Sequence, residues 1–125
     1  MLEDIFNWLT TKKRQRELKK HYHVSWDKEV VFIKSQDPLL LQTNNSSFRW
    51  NNVERVCLEI TRQRYSDELY IFTSCRLDAF IIPLDAKGGP EFMNTIIAKR
   101  LFDQNYITTK KYNNVGQYWW PEQAA

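Results

Sequence analysis

The fold is decided by residues 50–100, which read WNNVERVCLEITRQRYSDELYIFTSCRLDAFIIPLDAKGGPEFMNTIIAKR. At residues 56–61 apolar and polar side chains alternate strictly, a pattern typical of a strand with one buried face. Two more strands are predicted at residues 69–73 and 77–83, and the second ends in a proline, which cannot donate to a strand ladder. After Gly89 the apolar side chains recur at helical spacing. One amphipathic helix is therefore expected there.

The residues on either side of this stretch predict further strands. On its N-terminal side, short runs rich in β-branched and aromatic residues favour strands at residues 21–26, 29–34 and 39–43. Residues 44–47 read NNSS and predict a polar, exposed loop. Beyond the helix, residues 106–111 predict an edge strand.

Short strands in series with one late helix do not form βαβ units, which argues against a parallel α/β fold. We expect an α+β fold with a curved antiparallel sheet or open barrel, an N-terminal helix and a C-terminal amphipathic helix. The pleckstrin-homology-like (PH-like) fold has this order of elements, and the analogy carries no function. Residues 1–23 are predicted as an N-terminal amphipathic and basic helix, and residues 24–125 as a single α+β domain.

The composition bounds the class of protein. With 125 residues and 14% aromatic residues, the chain is suited to one packed core and not to a disordered state. Its two cysteines, Cys57 and Cys75, lack the spacing of a metal site or a redox dithiol. No segment approaches the roughly 20 apolar residues of a membrane span, and no signal peptide is recognisable. We expect a cytoplasmic protein, with peripheral membrane attachment as the alternative.

The positive charge is concentrated near the N-terminus. The net charge is +3, yet residues 12–20 alone carry six basic side chains against Glu17, and the acidic and basic residues from position 21 onward cancel. The six are Lys12, Lys13, Arg14, Arg16, Lys19 and Lys20. Any function that depends on positive charge is therefore expected to involve this segment.

An apolar stripe precedes the basic residues. It consists of Leu2, Ile5, Phe6 and Leu9, with Trp8 at its edge. Three interpretations remain open. In the first, the apolar half docks on the sheet and the basic half is solvated. In the second, the segment binds an anionic membrane surface, and in the third it binds a protein or nucleic acid. Nucleic acid is disfavoured because the rest of the chain is neutral and has no RNA-recognition strand.

No catalytic pattern stands out, so we predict neither an enzyme nor a cofactor. His21 and His23 could share a zinc ion only with a third ligand from elsewhere, and we predict no metal site. Ser25 and His23 are expected to point to opposite faces of a strand, which rules them out as a nucleophile and its base. Of the terminal aromatic residues, Trp119 and Trp120, one is expected to close the core.

The chain resembles a small bacterial protein family of uncharacterised function. The resemblance rests on the basic residues 12–20, on Trp50, Val53 and Val56, on Glu59-Ile60-Thr61, on Tyr65, Asp67, Glu68 and Tyr70, on residues 83–92, and on Trp120-Pro121-Glu122. It covers most of the chain and implies a compact bacterial domain. Similar small domains occur among immunity proteins, which bind toxins of competing bacteria. The resemblance supplies no catalytic residues.

We therefore expect a non-catalytic interaction domain with an unknown protein partner, including the immunity type. The alternative is a peripheral membrane module that binds anionic lipid through its N-terminal helix. The candidate partner- or lipid-binding residues are Trp8, Lys12, Lys13, Arg14, Arg16, Lys19 and Lys20 in the N-terminal segment, and Arg62, Arg64 and Tyr65 in a predicted hairpin loop.

Overall fold

A computed structural model of the protein describes residues 21–37, 42–61 and 66–122. The strands are β1 (Tyr22–Trp26), β2 (Val30–Asp37), β3 (Gln42–Arg49), β4 (Val53–Ile60), β5 (Glu68–Thr73), β6 (Arg76–Pro83) and β7 (Gly116–Trp120). Within these ranges there are also one α-helix, α1 (Gly89–Ala98), and two short 3-10 helices (Trp50–Asn52 and Lys110–Asn113). The strands form a three-stranded sheet in the order β1-β2-β3 and a four-stranded sheet in the order β6-β5-β4-β7, both antiparallel.

The predicted α+β fold with one curved sheet or PH-like open barrel is wrong. Over the described ranges the protein is mostly β, with two open sheets and a single α-helix. Two features keep the sheets apart. The 3-10 helix Trp50–Asn52 separates β3 from β4 along the chain. In addition, β4 pairs with β5 on one side and with β7 on the other, so neither edge of β4 is open for β3. The predicted N-terminal helix falls on residues outside the described ranges up to position 20, and β1 begins at Tyr22.

Two local predictions also fail. Residues 44–47 were expected to form a loop but lie inside β3, where Asn45 faces Lys34 and Ser47 faces Phe32. Pairing with β2 satisfies their backbone, which overrides the turn preference of asparagine and serine. The expected edge strand at residues 106–111 is instead a series of turns leading into a 3-10 helix. The strand that follows α1 and lies at an edge of the four-stranded sheet is β7, further along the chain.

The core lies between the two sheets and is closed by α1. Inward side chains of both sheets form one buried cluster, which includes Val24, Val31, Ile33, Val56, Leu58, Leu69, Ile71 and Ile82. Phe48 and Phe80 join the sheets, with ring centroids 4.8 Å apart. Phe92 of α1 lies against Trp26 and Trp50 at centroid distances of 5.5 and 5.6 Å. Because the inner faces are used by this core, the outward faces of the sheets are left for binding.

A short extended segment after β6 extends the edge of the three-stranded sheet. The Lys87 amide donates to the Tyr22 carbonyl, and the Val24 amide donates to the Lys87 carbonyl, each at 2.9 Å. Gly88 follows with φ +85°, and a Cβ at this position would lie 2.3 Å from the Val24 carbonyl oxygen. Only glycine fits so close to a strand with this backbone conformation. The arrangement places Lys87 beside His23.

Candidate binding site on the three-stranded sheet

The outward face of the three-stranded sheet carries six exposed side chains in two rows across the strands. The first row is His23, Lys34 and Asn45, and the second is Ser25, Phe32 and Ser47. Strands lie about 4.8 Å apart, so each row spans about 10 Å. We refer to these six residues as the outer-face site.

The outer-face site forms a shallow depression rather than a flat surface. Its volume is about 320 Å³, and its walls also include Ile33 and Ser46. This is at the lower end of the roughly 300–1,000 Å³ of small-molecule sites, which are deeper and mostly apolar. Here Phe32, which is 46% exposed, is surrounded by hydrogen-bonding groups. One apolar ring within a polar rim is suited to recognition of a protein surface.

The electrostatics of this face favour an anionic ligand. Lys34 lies in the first row, Arg49 occupies the next outward position of β3 after Ser47, and Lys87 borders His23. None of residues 22–26, 30–36 and 44–49 is acidic. A partner with a carboxylate-rich surface would therefore meet complementary charge.

The arrangement of Ser25 and His23 does not provide an activated nucleophile. The expectation that they point to opposite faces is wrong, because residues two apart in a strand share a face, and both line the depression. No hydrogen bond joins them in the part of the chain that the structure describes. Across the ladder His23 faces Lys34, a cation, and not a carboxylate that could orient an imidazole base.

A second polar cluster lies near the C-terminus and has a structural role. The Tyr112 hydroxyl donates to Asp103 Oδ2 at 2.8 Å, and Lys111 Nζ lies 2.8 Å from Glu122 Oε1. Burial, followed by the hydrogen bond to Asp103, raises the pKa of Tyr112 to about 12. A tyrosine with a raised pKa is not activated for proton transfer at neutral pH. The cluster fixes the segment that leads into β7.

Asp67 and the two cysteines also lack the geometry of a reactive site. Burial raises the pKa of Asp67, whose Oδ1 accepts a hydrogen bond from the Thr61 amide at 3.1 Å. Burial likewise raises the pKa of the Cys57 thiol, while Cys75 is exposed in the turn between β5 and β6. Among the described residues, no three His, Cys, Asp or Glu side chains are placed to hold a metal ion.

All ten residues predicted to bind a partner or lipid lie outside the described residues. They are Trp8, Lys12, Lys13, Arg14, Arg16, Lys19, Lys20, Arg62, Arg64 and Tyr65. The outer-face site was not predicted. Alternation in β1 would place His23 and Ser25 on one face, but the polar run at residues 44–47 predicts a loop at Asn45 and Ser47. Without β3 as a strand, the two halves of the site cannot be brought together.

No helix of the described ranges has the length and apolar character needed to cross a membrane. Comparisons of the chain with protein-family models, with curated proteins and with solved structures found no match.

Proposed function

We propose that this chain is a non-catalytic binding domain that recognises an acidic segment of a partner protein through the outer-face site. The observation that carries the proposal is the depression of about 320 Å³ on a sheet face that has cationic side chains and no acidic residue among positions 22–26, 30–36 and 44–49. The resemblance to small bacterial domains of the immunity type supports the same class of function, a cytoplasmic protein that binds another protein.

Each part of the outer-face site has a use in such a complex. Lys34 can pair with a carboxylate, and the His23 ring and the Asn45 amide can form hydrogen bonds with polar groups of the partner. Exposed ion pairs contribute only about 0.2–1 kcal/mol each, so charge alone would give weak binding. Burying the exposed ring of Phe32 supplies the apolar contact that charge pairing lacks.

Binding of a fluorescein-labelled, Glu-rich peptide containing one tyrosine tests this proposal. Affinity is measured by fluorescence anisotropy for the native chain and for Lys34→Glu. Lys28→Glu is the matched control. It changes the net charge by the same amount, and Lys28 is exposed in the turn between β1 and β2, outside the outer-face site. We expect Lys34→Glu to weaken binding about tenfold, or ~1.4 kcal/mol.

A specific site also requires that the control change affinity little. Equal losses for Lys34→Glu and Lys28→Glu would show that the peptide follows net charge and would contradict the outer-face site. The same peptide with Gln for Glu should not bind. If it binds as tightly as the acidic peptide, the assignment of an acidic partner is wrong.

The rival function, a peripheral membrane module, rests on residues 2–20, which lie outside the described ranges. Co-sedimentation with vesicles of increasing anionic-lipid content, repeated at high salt, separates the two proposals. Salt-sensitive sedimentation by a chain that does not bind the acidic peptide would favour the membrane module. Peptide binding without sedimentation would favour the protein-binding domain.

A further inference from the structure

The outward face of the four-stranded sheet is apolar across its middle, unlike that of the three-stranded sheet. A row of side chains crosses all four strands, with Trp119 of β7, Cys57 of β4, Tyr70 of β5 and Ile81 of β6 in direct register. We refer to these four residues as the apolar row. Phe72 lies beside the row, its ring 5.4 Å from that of Trp119.

Cys57 is buried on this outward face, away from the core. It is 3% exposed but is not part of the core cluster, to which its neighbours Val56 and Leu58 belong. An antiparallel sheet with one face on the core normally turns polar side chains outward. An apolar row across a whole sheet is instead typical of a face that is covered by another segment or partner.

The same face becomes acidic at one end. Glu59 of β4 lies directly opposite Glu68 of β5, two positions along each strand from Cys57 and Tyr70. At the other end Arg55 donates to the carbonyl oxygens of Pro121 and Glu122, at 3.0 Å each. The segment that covers this face should therefore be apolar in one part and cationic in the next.

Tyr22, at the start of β1, lies against the edge of the four-stranded sheet. Its hydroxyl donates to the carbonyl oxygen of Ile81, a residue of the apolar row. Glu68, after burial itself, contributes to raising the pKa of Tyr22, so this side chain lies near the acidic end of the face. Tyr22, the first residue of β1, therefore contacts the free edge of β6 at Ile81 and lies near Glu68.

We propose that residues 2–20 of this chain dock on the outward face of the four-stranded sheet, with the basic residues 12–20 beside Glu59 and Glu68 and the apolar residues 2–9 over the apolar row. The order of charge along the segment matches the order along the face, because the basic residues 12–20 come directly before β1 in the sequence, and Tyr22 of β1 lies near Glu68, the β5 member of the acidic pair.

The segment is also long enough to reach. Four strands span about 14 Å between the first and the last. Twenty residues extend about 30 Å even at the 1.5 Å per residue of a helix. Docking would occupy the same apolar side chains, Leu2, Ile5, Phe6 and Leu9, that a membrane-bound segment would insert into lipid. The intramolecular site and the membrane therefore compete for them.

The test measures thiol labelling of Cys57 in the full chain, with the exposed Cys75 as an internal reference. The variant Ile5→Ser/Phe6→Ser/Leu9→Ser removes the apolar stripe. Asn7→Ser/Thr10→Ser/Thr11→Ser alters the same segment at positions outside the stripe and serves as the control. We expect the stripe variant to accelerate Cys57 labelling about tenfold or more, because the thiol loses its cover. Cys75 labelling and the control should not change.

A second readout separates undocking from unfolding. The Trp50 indole N–H donates to the Asp27 carbonyl at 3.0 Å, and Trp50 belongs to the buried core cluster, so its NMR signal reports on the intact core. The proposal requires this signal to persist in the stripe variant while the Trp119 indole signal shifts. Unchanged Cys57 labelling together with an unshifted Trp119 signal would overturn it.

Two further measurements identify a different occupant. If Cys57 protection in the native chain increases with protein concentration, a second copy covers the face and the proposal fails. If protection appears only when anionic vesicles are added, a membrane covers it and the proposal likewise fails. The variant Glu59→Gln/Glu68→Gln should partly release the segment, giving a labelling rate between those of the native chain and the stripe variant.

Discussion

At the scale of single residues, Tyr112 and Asp103 form a buried polar contact that holds the C-terminal segment. The hydroxyl and the carboxylate are 2.8 Å apart, and both residues are less than 10% exposed. Hydrogen bonds to charged groups contribute about 1.5–3 kcal/mol. We expect Tyr112→Phe to lower the free energy of unfolding by about 2 kcal/mol in urea denaturation. Tyr106→Phe is the control, since the Tyr106 hydroxyl has no hydrogen-bond partner among the described residues; equal losses would contradict the role of Asp103.

Asp103 also predicts a pH dependence. The hydrogen bond from the Asn105 amide holds its pKa below the usual value. A carboxyl with a depressed folded-state pKa stabilises the fold above its unfolded pKa of about 4 and loses that contribution as the pH falls through the folded value. Urea unfolding at a series of pH values should show a steeper loss of stability below about pH 4 for the native chain than for Asp103→Asn. Parallel curves would mean that this carboxyl is not linked to folding.

A substitution at Gly88 tests the close contact between β1 and the extended segment that places Lys87 beside His23. A Cβ there would lie 2.3 Å from the Val24 carbonyl oxygen, and the backbone is in the left-handed region at φ +85°. We expect Gly88→Ala to destabilise the protein by about 2–3 kcal/mol. Lys87→Ala, whose exposed side chain can be removed without moving the backbone, should change thermal stability little. A stable Gly88→Ala protein would show that the strand edge can move away.

At the scale of elements, β7 explains why the two terminal tryptophans differ. Trp120 packs against the core and faces Val56, whereas Trp119 points outward beside Phe72, with the Arg55 guanidinium 4.5 Å from its ring centre. We expect Trp120→Ala to lower the free energy of unfolding by about 3 kcal/mol. Trp119→Ala should lose only about 1 kcal/mol of aromatic and cation–π contacts. A larger loss of unfolding free energy for Trp119→Ala than for Trp120→Ala in urea denaturation would contradict the register of β7.

Elements with strong local patterns could be predicted from the sequence, and elements defined by their partners could not. The alternation in β4 and the helical spacing after Gly89 are local, and both elements are present. β3 contains Asn44, Asn45, Ser46 and Ser47, residues that prefer turns, and is held as a strand by β2. β7 is a consecutive aromatic run whose two faces become distinct only through pairing with β4.

At the scale of the whole molecule, the strand order decides where binding surfaces lie. Because β7 takes the free edge of β4, the chain forms two open sheets around one core and keeps two outward faces of different chemistry. One face is polar and cationic, and the other is apolar with an acidic end. Neither could be predicted from the sequence, because each unites residues that are neighbours only through strand pairing. The proposed partner and the proposed N-terminal segment would therefore occupy different faces of the molecule.

The most direct test of the central claim is a ¹H–¹⁵N NMR titration of the full chain with the Glu-rich peptide. Shift changes should concentrate on the amides of the outer-face site, with His23, Lys34 and Ser47 among the largest, and should diminish as salt is added. The amides of the apolar row should move little. Changes that concentrate on the four-stranded sheet or on residues 12–20, or the absence of any saturable change, would contradict the claim that the three-stranded sheet is the binding surface.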